Sequence, residues 1–194
     1  MLEWKREILK WSRTIHIYLS LSAFFMFLFF GVTGVMLTHD SFGMDQMVAT
    51  NTEGKIAAEV ASKSEHAAVE SAVRAAFHIS LPLINFSEAD DELELTFAGP
   101  ARRAQVFIDR DSGECQVTLE DRGMVGLLAD LHKGAETGWA WRYLLDVVSV
   151  WIVLSSITGI IMLLAMPKRR ALGLVFGVLG GLITIAAYAV YVPR

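Results

Sequence analysis

The amino-acid sequence predicts a membrane α-helical protein with three transmembrane helices and a small α+β domain held outside the cytoplasm. Hydrophobic residues make up 54% of the chain and the mean hydropathy is +0.44, whereas soluble domains are about 45–50% apolar. The apolar residues are concentrated in three runs, each near the ~20 residues that cross ~30 Å of hydrocarbon. The segment between the first two runs has the pattern of a helix followed by strands. Membrane lipid is therefore the first expected partner.

The predicted transmembrane helices occupy residues 14–39, 143–166 and 171–192. The run 14–38 contains no Asp, Glu, Lys or Arg, the second run contains one acid, Asp146, and the third contains no charge. A cleaved signal peptide is the alternative for the first run. However, that run is longer than the usual ~7–15 apolar residues, and no small-residue cleavage site follows it. We interpret it as a retained anchor.

Two clusters of basic residues predict how these helices are oriented. One lies in the segment 1–13 and the other fills the turn 167–170 between the second and third helices. By the positive-inside rule, both clusters face the cytoplasm. The domain at 40–125, the segment 126–142 that leads into the second helix, and the C-terminus then lie on the far side. We expect a bacterial inner-membrane protein whose soluble domain is in the periplasm.

The hydrophobic period changes along the soluble domain. Apolar residues between 55 and 79 recur mostly at steps of three and four, which predicts a helix. Three later stretches, around Leu95, Val106 and Val117, alternate apolar with polar residues and are separated by turn residues, which predicts a three-strand antiparallel meander. A sheet with one apolar face needs a cover, and we predict that the helix packs on it.

Charge and cysteine content restrict the partners and the chemistry of this domain. Acidic residues outnumber basic ones between residues 40 and 141, which argues against nucleic acid as a partner. Cys115 is the only cysteine, so it cannot form an intramolecular disulfide, and we interpret it as a strand residue. The sequence lacks a phosphate loop, a dinucleotide fingerprint, a Cys-x-x-Cys pair and a nucleophile triad. The sequence therefore identifies no catalytic residue. Redox chemistry would need a bound cofactor.

Three segments resemble a known family. QVFIDRDSGEC at 105–115 is similar to the strand–Asp–turn–Gly pattern of PepSY domains, and the segments 11–39 and 130–163 resemble the PepSY-associated transmembrane family. That family includes di-haem membrane reductases of ferric siderophores, which are typically longer by at least one helix. The resemblance implies haem b, one or two per chain, and electron transfer to a ferric siderophore or a periplasmic redox partner. It leaves open whether this shorter chain is itself an enzyme.

Histidines at the membrane boundaries are the candidate haem ligands. His39 ends the first predicted helix and His132 precedes the second, so both lie at one depth if these helices are neighbours. Two histidines from different helices are what axial ligation of a b-type haem requires. Gly31 and Gly34, which lack a Cβ, would let a flat macrocycle approach the backbone. The alternatives are that the histidines are interfacial polar groups and that the glycines serve helix packing.

His16 is the candidate ligand of a second haem. It lies 23 residues before His39, or ~35 Å along a helix, so one haem cannot use both. Its partner could be His16 of a second protomer, Met162 or Met166, and an interfacial role without haem is equally open. The pair Thr158-Gly159 in the second helix repeats Thr33-Gly34 of the first. His66 and His78 are twelve residues apart, which is not a two-ligand spacing on a helix, and we expect them to bind no metal.

Glycines in the third helix predict association. Gly173, Gly177 and Gly181 recur at four-residue steps, which favours a homodimer, although packing within the chain is an equal alternative. The leading functional hypothesis is a haem-b membrane protein that transfers electrons, either as a ferric reductase or as an electron-transfer subunit. The rival is a non-catalytic membrane-anchored PepSY module that binds a peptide or a protein partner.

Overall fold

The computed structural model describes residues 3–39, 47–63 and 65–193. The chain forms two compact units, Leu28–Leu145 and the combination of Met1–Phe27 with Asp146–Arg194. Three parts of the sequence predictions lie outside the described residues. They are the start of the soluble domain at residue 40, the first two residues of the N-terminal segment, and the C-terminal residue 194.

One five-stranded antiparallel sheet forms the centre of the unit Leu28–Leu145. Its strands run in the order β1-β5-β4-β3-β2. They are β1 Val48–Lys55, β2 Leu83–Glu88, β3 Glu92–Gly99, β4 Arg102–Asp109 and β5 Glu114–Asp121. The α+β class and the meander of β3, β4 and β5 are confirmed. The predicted strand number was wrong, because the structure adds an edge strand on each side.

Two short helices supply the cover that the sheet needs. They are α3 (Ala58–Lys63) and α4 (His66–Phe77). Val69 and Val73 of α4 are fully buried in one cluster with Leu95, Phe97 and Val106 of the sheet. The alternation of β3 and β4 thus places one set of side chains against α4, as the period of two predicts.

The single helix predicted over residues 55–79 was too long at its start. Lys55 is the last residue of β1, and α3 begins only at Ala58. The intervening residue Ile56 donates its backbone N–H to the carbonyl of Gly113 at 2.9 Å. Gly113 has φ +72°, and a Cβ built there would collide with the Ile56 carbonyl oxygen. A tight turn between β4 and β5 therefore fixes where the chain leaves β1.

The same turn carries a carboxylate with a shifted pKa. Oδ1 of Asp109 accepts hydrogen bonds from the Ser112 N–H and hydroxyl, both at 2.8 Å, and from the Asp111 N–H at 3.1 Å. These bonds, those from Ser112 first, lower the pKa of Asp109. In β5, burial raises the pKa of the Cys115 thiol, so it stays protonated at neutral pH.

Four helices carry the apolar runs. They are α1 (Glu3–Ser22), α2 (Phe24–Leu37), α6 (Gly138–Leu164) and α7 (Arg170–Tyr191). By length and composition, α6 and α7 can each cross a membrane, and a third span exists if α1 and α2 act as one. The chain is therefore a membrane protein with two or three spans among its described residues.

The first predicted span is not one straight helix. α1 and α2 meet at Ala23 with a bend of 55°. Just before the bend, the Ser22 hydroxyl donates to the Leu19 carbonyl at 3.0 Å, and such local bonds from serine often bend helices. α1 also begins eleven residues before the predicted start at residue 14 and includes the basic N-terminal cluster.

Candidate functional site

His132 is held by a threonine that is distant in sequence. The histidine lies in α5 (Gly123–Lys133), and its ring is partly buried. Its Nδ1 is 2.6 Å from Oγ1 of Thr33 in α2, across 99 residues of sequence. Thr33 is 2% exposed, so this hydrogen bond forms inside the protein.

The hydrogen-bond network assigns the tautomer of His132. Oγ1 of Thr33 is also 2.7 Å from the carbonyl oxygen of Phe29, to which its single proton is donated. The threonine oxygen can therefore only accept from the imidazole, so the proton of His132 is on Nδ1. In the neutral ring Nε2 then carries the lone pair, and it makes no hydrogen bond to any residue that the structure describes. This is the nitrogen and the protonation state with which a histidine binds a metal.

The space beside Gly34 is occupied by the same imidazole. Cε1 of His132 is 3.7 Å from where a Cβ of Gly34 would be. Phe30 meets the ring edge to face, with 4.9 Å between the ring centroids. A side chain at Gly34 would therefore lie in van der Waals contact with the imidazole. Gly31 has no atom within 4 Å of its Cβ position among the described residues, so space for a flat ligand is left there.

α5 is anchored to the sheet two residues before His132. The carboxylate of Asp130 is almost fully buried and accepts the Ala101 N–H at 2.8 Å, as well as a close charged hydrogen bond from Arg122. Ala101 is the left-handed residue, φ +64°, of the turn between β3 and β4. Sequence reasoning did not select Asp130, although it lies two residues before His132, because its bond to Ala101 across 29 residues has no sequence signature.

The start of α6 adds a second anchor. Nε1 of Trp141 donates to the Leu131 carbonyl at 2.9 Å. α5 ends at Gly134, whose φ of +70° is the left-handed conformation that helix ends often adopt. His132 therefore directly follows two residues, Asp130 and Leu131, that are held by contacts to other elements.

His39, the predicted partner of His132, lies on a different face of the first predicted span. It follows the end of α2, is exposed, and its Nδ1 donates to the Val35 carbonyl of its own helix at 2.9 Å. Six residues separate it from Thr33, which corresponds to a rotation of roughly 120° and a rise of ~9 Å on a regular helix. The face of α2 that contacts His132 is therefore not the face that presents His39. Joint ligation would require the turn after Leu37 to reorient.

His16 has the same kind of environment in the other unit. Its Nδ1 is 3.0 Å from the Ser155 carbonyl oxygen and 3.2 Å from Oγ1 of Thr158 in α6. A carbonyl oxygen only accepts, so the proton is again on Nδ1 and the lone pair on Nε2. Cε1 of His16 is 3.4 Å from the Cβ position of Gly159. Nε2 makes no hydrogen bond within the described part of the chain.

The two methionines proposed as partners of His16 differ in position. Met162 lies four residues after Thr158 and hence on nearly the same face of α6. Met166 lies beyond the end of that helix and is exposed. His16 contacts Ser155 and Thr158 and lies beside Gly159. Sequence reasoning had noted the Thr-Gly pair but not Ser155.

The remaining histidines lie at the two ends of α4 and are exposed. The ring of His66 stacks on Phe86, with 3.8 Å between centroids and 25° between planes. His78 ends α4 in the left-handed conformation, φ +53°. Among the described residues, no group of three or more His, Cys, Asp or Glu side chains could hold a metal ion.

Comparison with known proteins gives one match. The family described as PepSY_TM-like matches residues 10–193, which is nearly the whole chain. No curated protein and no solved structure matches significantly.

Proposed function

The chain belongs to the PepSY_TM-like family, and on that premise we propose that it binds haem b in the membrane and transfers electrons. The observation that carries the proposal is the state of two imidazoles. His132 and His16 are partly buried, and each donates Nδ1–H within the protein, which leaves Nε2 of the neutral ring available to a metal. Haem iron in b-type proteins is bound by this kind of nitrogen. When bound, haem would supply one-electron chemistry that the chain's own side chains cannot.

The donor set fits one haem in each unit, with His132 and His16 as the first ligands. For His132, the second ligand in the proposal is His39, after reorientation of the turn that follows α2. For His16, Met162 or Met166 of the same chain, or His16 of a second protomer, would complete the coordination. Gly31 offers the open space next to the His132 contact, so it would lie beside the porphyrin.

The direction of electron transfer follows from the proposed orientation. We place the segment 1–13 in the cytoplasm and the sheet domain in the periplasm of a bacterial inner membrane, from the two basic clusters. Electrons would then pass across or along the membrane toward an acceptor outside, for which ferric iron in a siderophore, or a periplasmic redox protein, is the proposed class. This makes the chain a reductase or an electron-transfer subunit.

Haem content of histidine variants tests the proposal. Full-length protein is purified from haem-replete cells, and haem per chain is measured by the pyridine haemochrome method. His132→Ala and His16→Ala should each lower the haem content, whereas the matched controls His66→Ala and His78→Ala should leave it unchanged. Equal haem content in all four variants would reject the assigned ligands. His39→Ala then decides whether His39 is the second ligand of the His132 site.

One observation favours the rival function, a membrane-anchored module that binds a partner. An open hollow of about 520 Å³ lies on the sheet, bordered by acidic side chains and one lysine. Its charged residues are Glu53, Lys55, Glu92, Asp109 and Glu114. Such a hollow would suit a cationic peptide segment. A protein that stays free of haem but binds a basic peptide, with affinity lost in Glu92→Gln, would support this function instead.

A further inference from the structure

The two candidate ligands are held by the same three-part arrangement. In each unit a histidine Nδ1 meets a threonine hydroxyl, and the Cε1 edge of its ring lies over the glycine that follows that threonine. The sets are His132 with Thr33 and Gly34, and His16 with Thr158 and Gly159. The two Thr-Gly pairs lie in different helices, α2 and α6. The repeat in the sequence therefore corresponds to a repeated histidine contact in the structure.

Each threonine is prevented from acting as a donor to its histidine. Thr33 donates its proton to the carbonyl four residues earlier at 2.7 Å, and Thr158 does so at 2.9 Å. A hydroxyl has one proton. With that proton donated to the backbone carbonyl, each threonine oxygen accepts the Nδ1–H, which favours the tautomer that carries the proton on Nδ1.

The two arrangements differ in how much they depend on the threonine. His132 has Thr33 as the acceptor for its Nδ1–H, at 2.6 Å. His16 has the Ser155 carbonyl at 3.0 Å in addition to Thr158 at 3.2 Å. A backbone carbonyl persists whatever side chain is present, so His16 has an acceptor that no side-chain substitution removes.

We propose that Thr33 is a positioning residue that fixes the tautomer of His132, whereas the Ser155 carbonyl fixes the tautomer of His16 and makes Thr158 dispensable. The consequence for haem affinity rests on the proposed function, but the tautomer itself does not. With Thr33→Val, the shape of the buried side chain is kept and the acceptor is lost. The proton of His132 then moves freely between its nitrogens, and the lone pair of Nε2 is no longer held available.

The first experiment reads the tautomer without haem. Full-length apo-protein with ¹⁵N-labelled histidine is placed in nanodiscs at alkaline pH, where the imidazoles are neutral, and the ring-nitrogen shifts are measured. His132 and His16 should both show Nδ1–H in the wild type. Thr33→Val should give a mixture at His132, Thr33→Ser should retain Nδ1–H, and Thr158→Val should leave His16 unchanged.

The second experiment measures haemin affinity at one histidine at a time. In a His16→Ala background, Thr33→Val should weaken binding by about 10–100-fold, the usual effect of removing a hydrogen-bond partner from a ligating group, and Thr33→Ser should restore it. In a His132→Ala background, Thr158→Val should change binding by no more than a few-fold.

The outcomes separate this inference from the proposed function. Wild-type protein that binds no haemin rejects the function, yet the nitrogen shifts still decide the tautomer. An Nε2–H form of His132 in the wild type, or an unaltered Nδ1–H form in Thr33→Val, would overturn the role of Thr33. Equal losses of affinity in Thr33→Val and Thr158→Val would overturn the difference between the two sites.

Discussion

Oγ1 of Thr33 lies 2.6 Å from Nδ1 of His132, although 99 residues separate them in the sequence. The contact joins α2, which carries the second half of the first apolar run, to α5, which follows the sheet. Thr33 is buried, and its hydroxyl donates to the Phe29 carbonyl of its own helix. Its oxygen accepts the hydrogen bond from His132, so both hydrogen-bonding roles of the hydroxyl are satisfied. The folding of the soluble domain thereby determines where a membrane-proximal imidazole is held.

Asp130 should be the residue through which the sheet positions α5. Asp130→Ala removes the acceptor for the Ala101 N–H and for Arg122. We expect a loss of about 2–3 kcal/mol in the free energy of unfolding, because hydrogen bonds to a buried charged group are strong and their partners are left unpaired. Pulse proteolysis of the full chain in micelles across a urea series measures it.

The matched control is an exposed ion pair in the same unit. Arg102→Ala removes the pair with Asp121, whose side chains are 67% and 46% exposed, and should cost no more than about 1 kcal/mol. If Arg102→Ala and Asp130→Ala destabilised the protein equally, α5 would not be anchored as described.

Gly113 should be far less tolerant of substitution than Gly123. Both have positive φ, +72° and +59°, but only a Cβ at Gly113 meets the backbone, at the Ile56 carbonyl. Gly123→Ala should cost about 1–2 kcal/mol for the left-handed conformation. Gly113→Ala should add a further ~1–3 kcal/mol of steric strain. Thermal unfolding of both variants, followed by circular dichroism of the sheet, makes the comparison, and similar melting temperatures would contradict it.

The homodimer stays a prediction, and the structure narrows the glycines that could mediate it. A Cβ at Gly173 would collide with Leu163 of the same unit, whereas Gly177 and Gly181 have no atom within 4 Å among the described residues. Gly177→Leu should therefore weaken association in nanodiscs without unfolding the chain, because close helix approach is lost. Val175→Leu, on the opposite face of α7, is the control. A wild type that is monomeric by native mass spectrometry would reject the dimer.

The central part of the sheet could be predicted from sequence because its residues alternate. Leu93, Leu95 and Phe97 point to the core, and the pattern shows this directly. β1 was missed because nearly all of its residues are exposed and polar, so an edge strand leaves no period of two. β2 was missed for a similar reason, since most of its side chains are also exposed.

Of the candidate site, only the histidines could be selected from the sequence. His132 and His16 are recognisable from residue type and position near the apolar runs. Their acceptors, Thr33 and the Ser155 carbonyl, become partners through contacts that span 99 and 139 residues. A carbonyl has no sequence signature at all. The direction in which His39 faces depends on the residue at which α2 ends. The continuous apolar run does not show which residue that is.

The most direct test of the account is the absorption spectrum of the purified full-length protein made in haem-replete cells. We expect a Soret band and, after reduction with dithionite, the α-band of a b-type haem, with one or two haems per chain. Both features should diminish in His132→Ala and persist in His66→Ala. A colourless protein that takes up no added haemin would contradict the haem proposal and leave the membrane-anchored binding module as the better description.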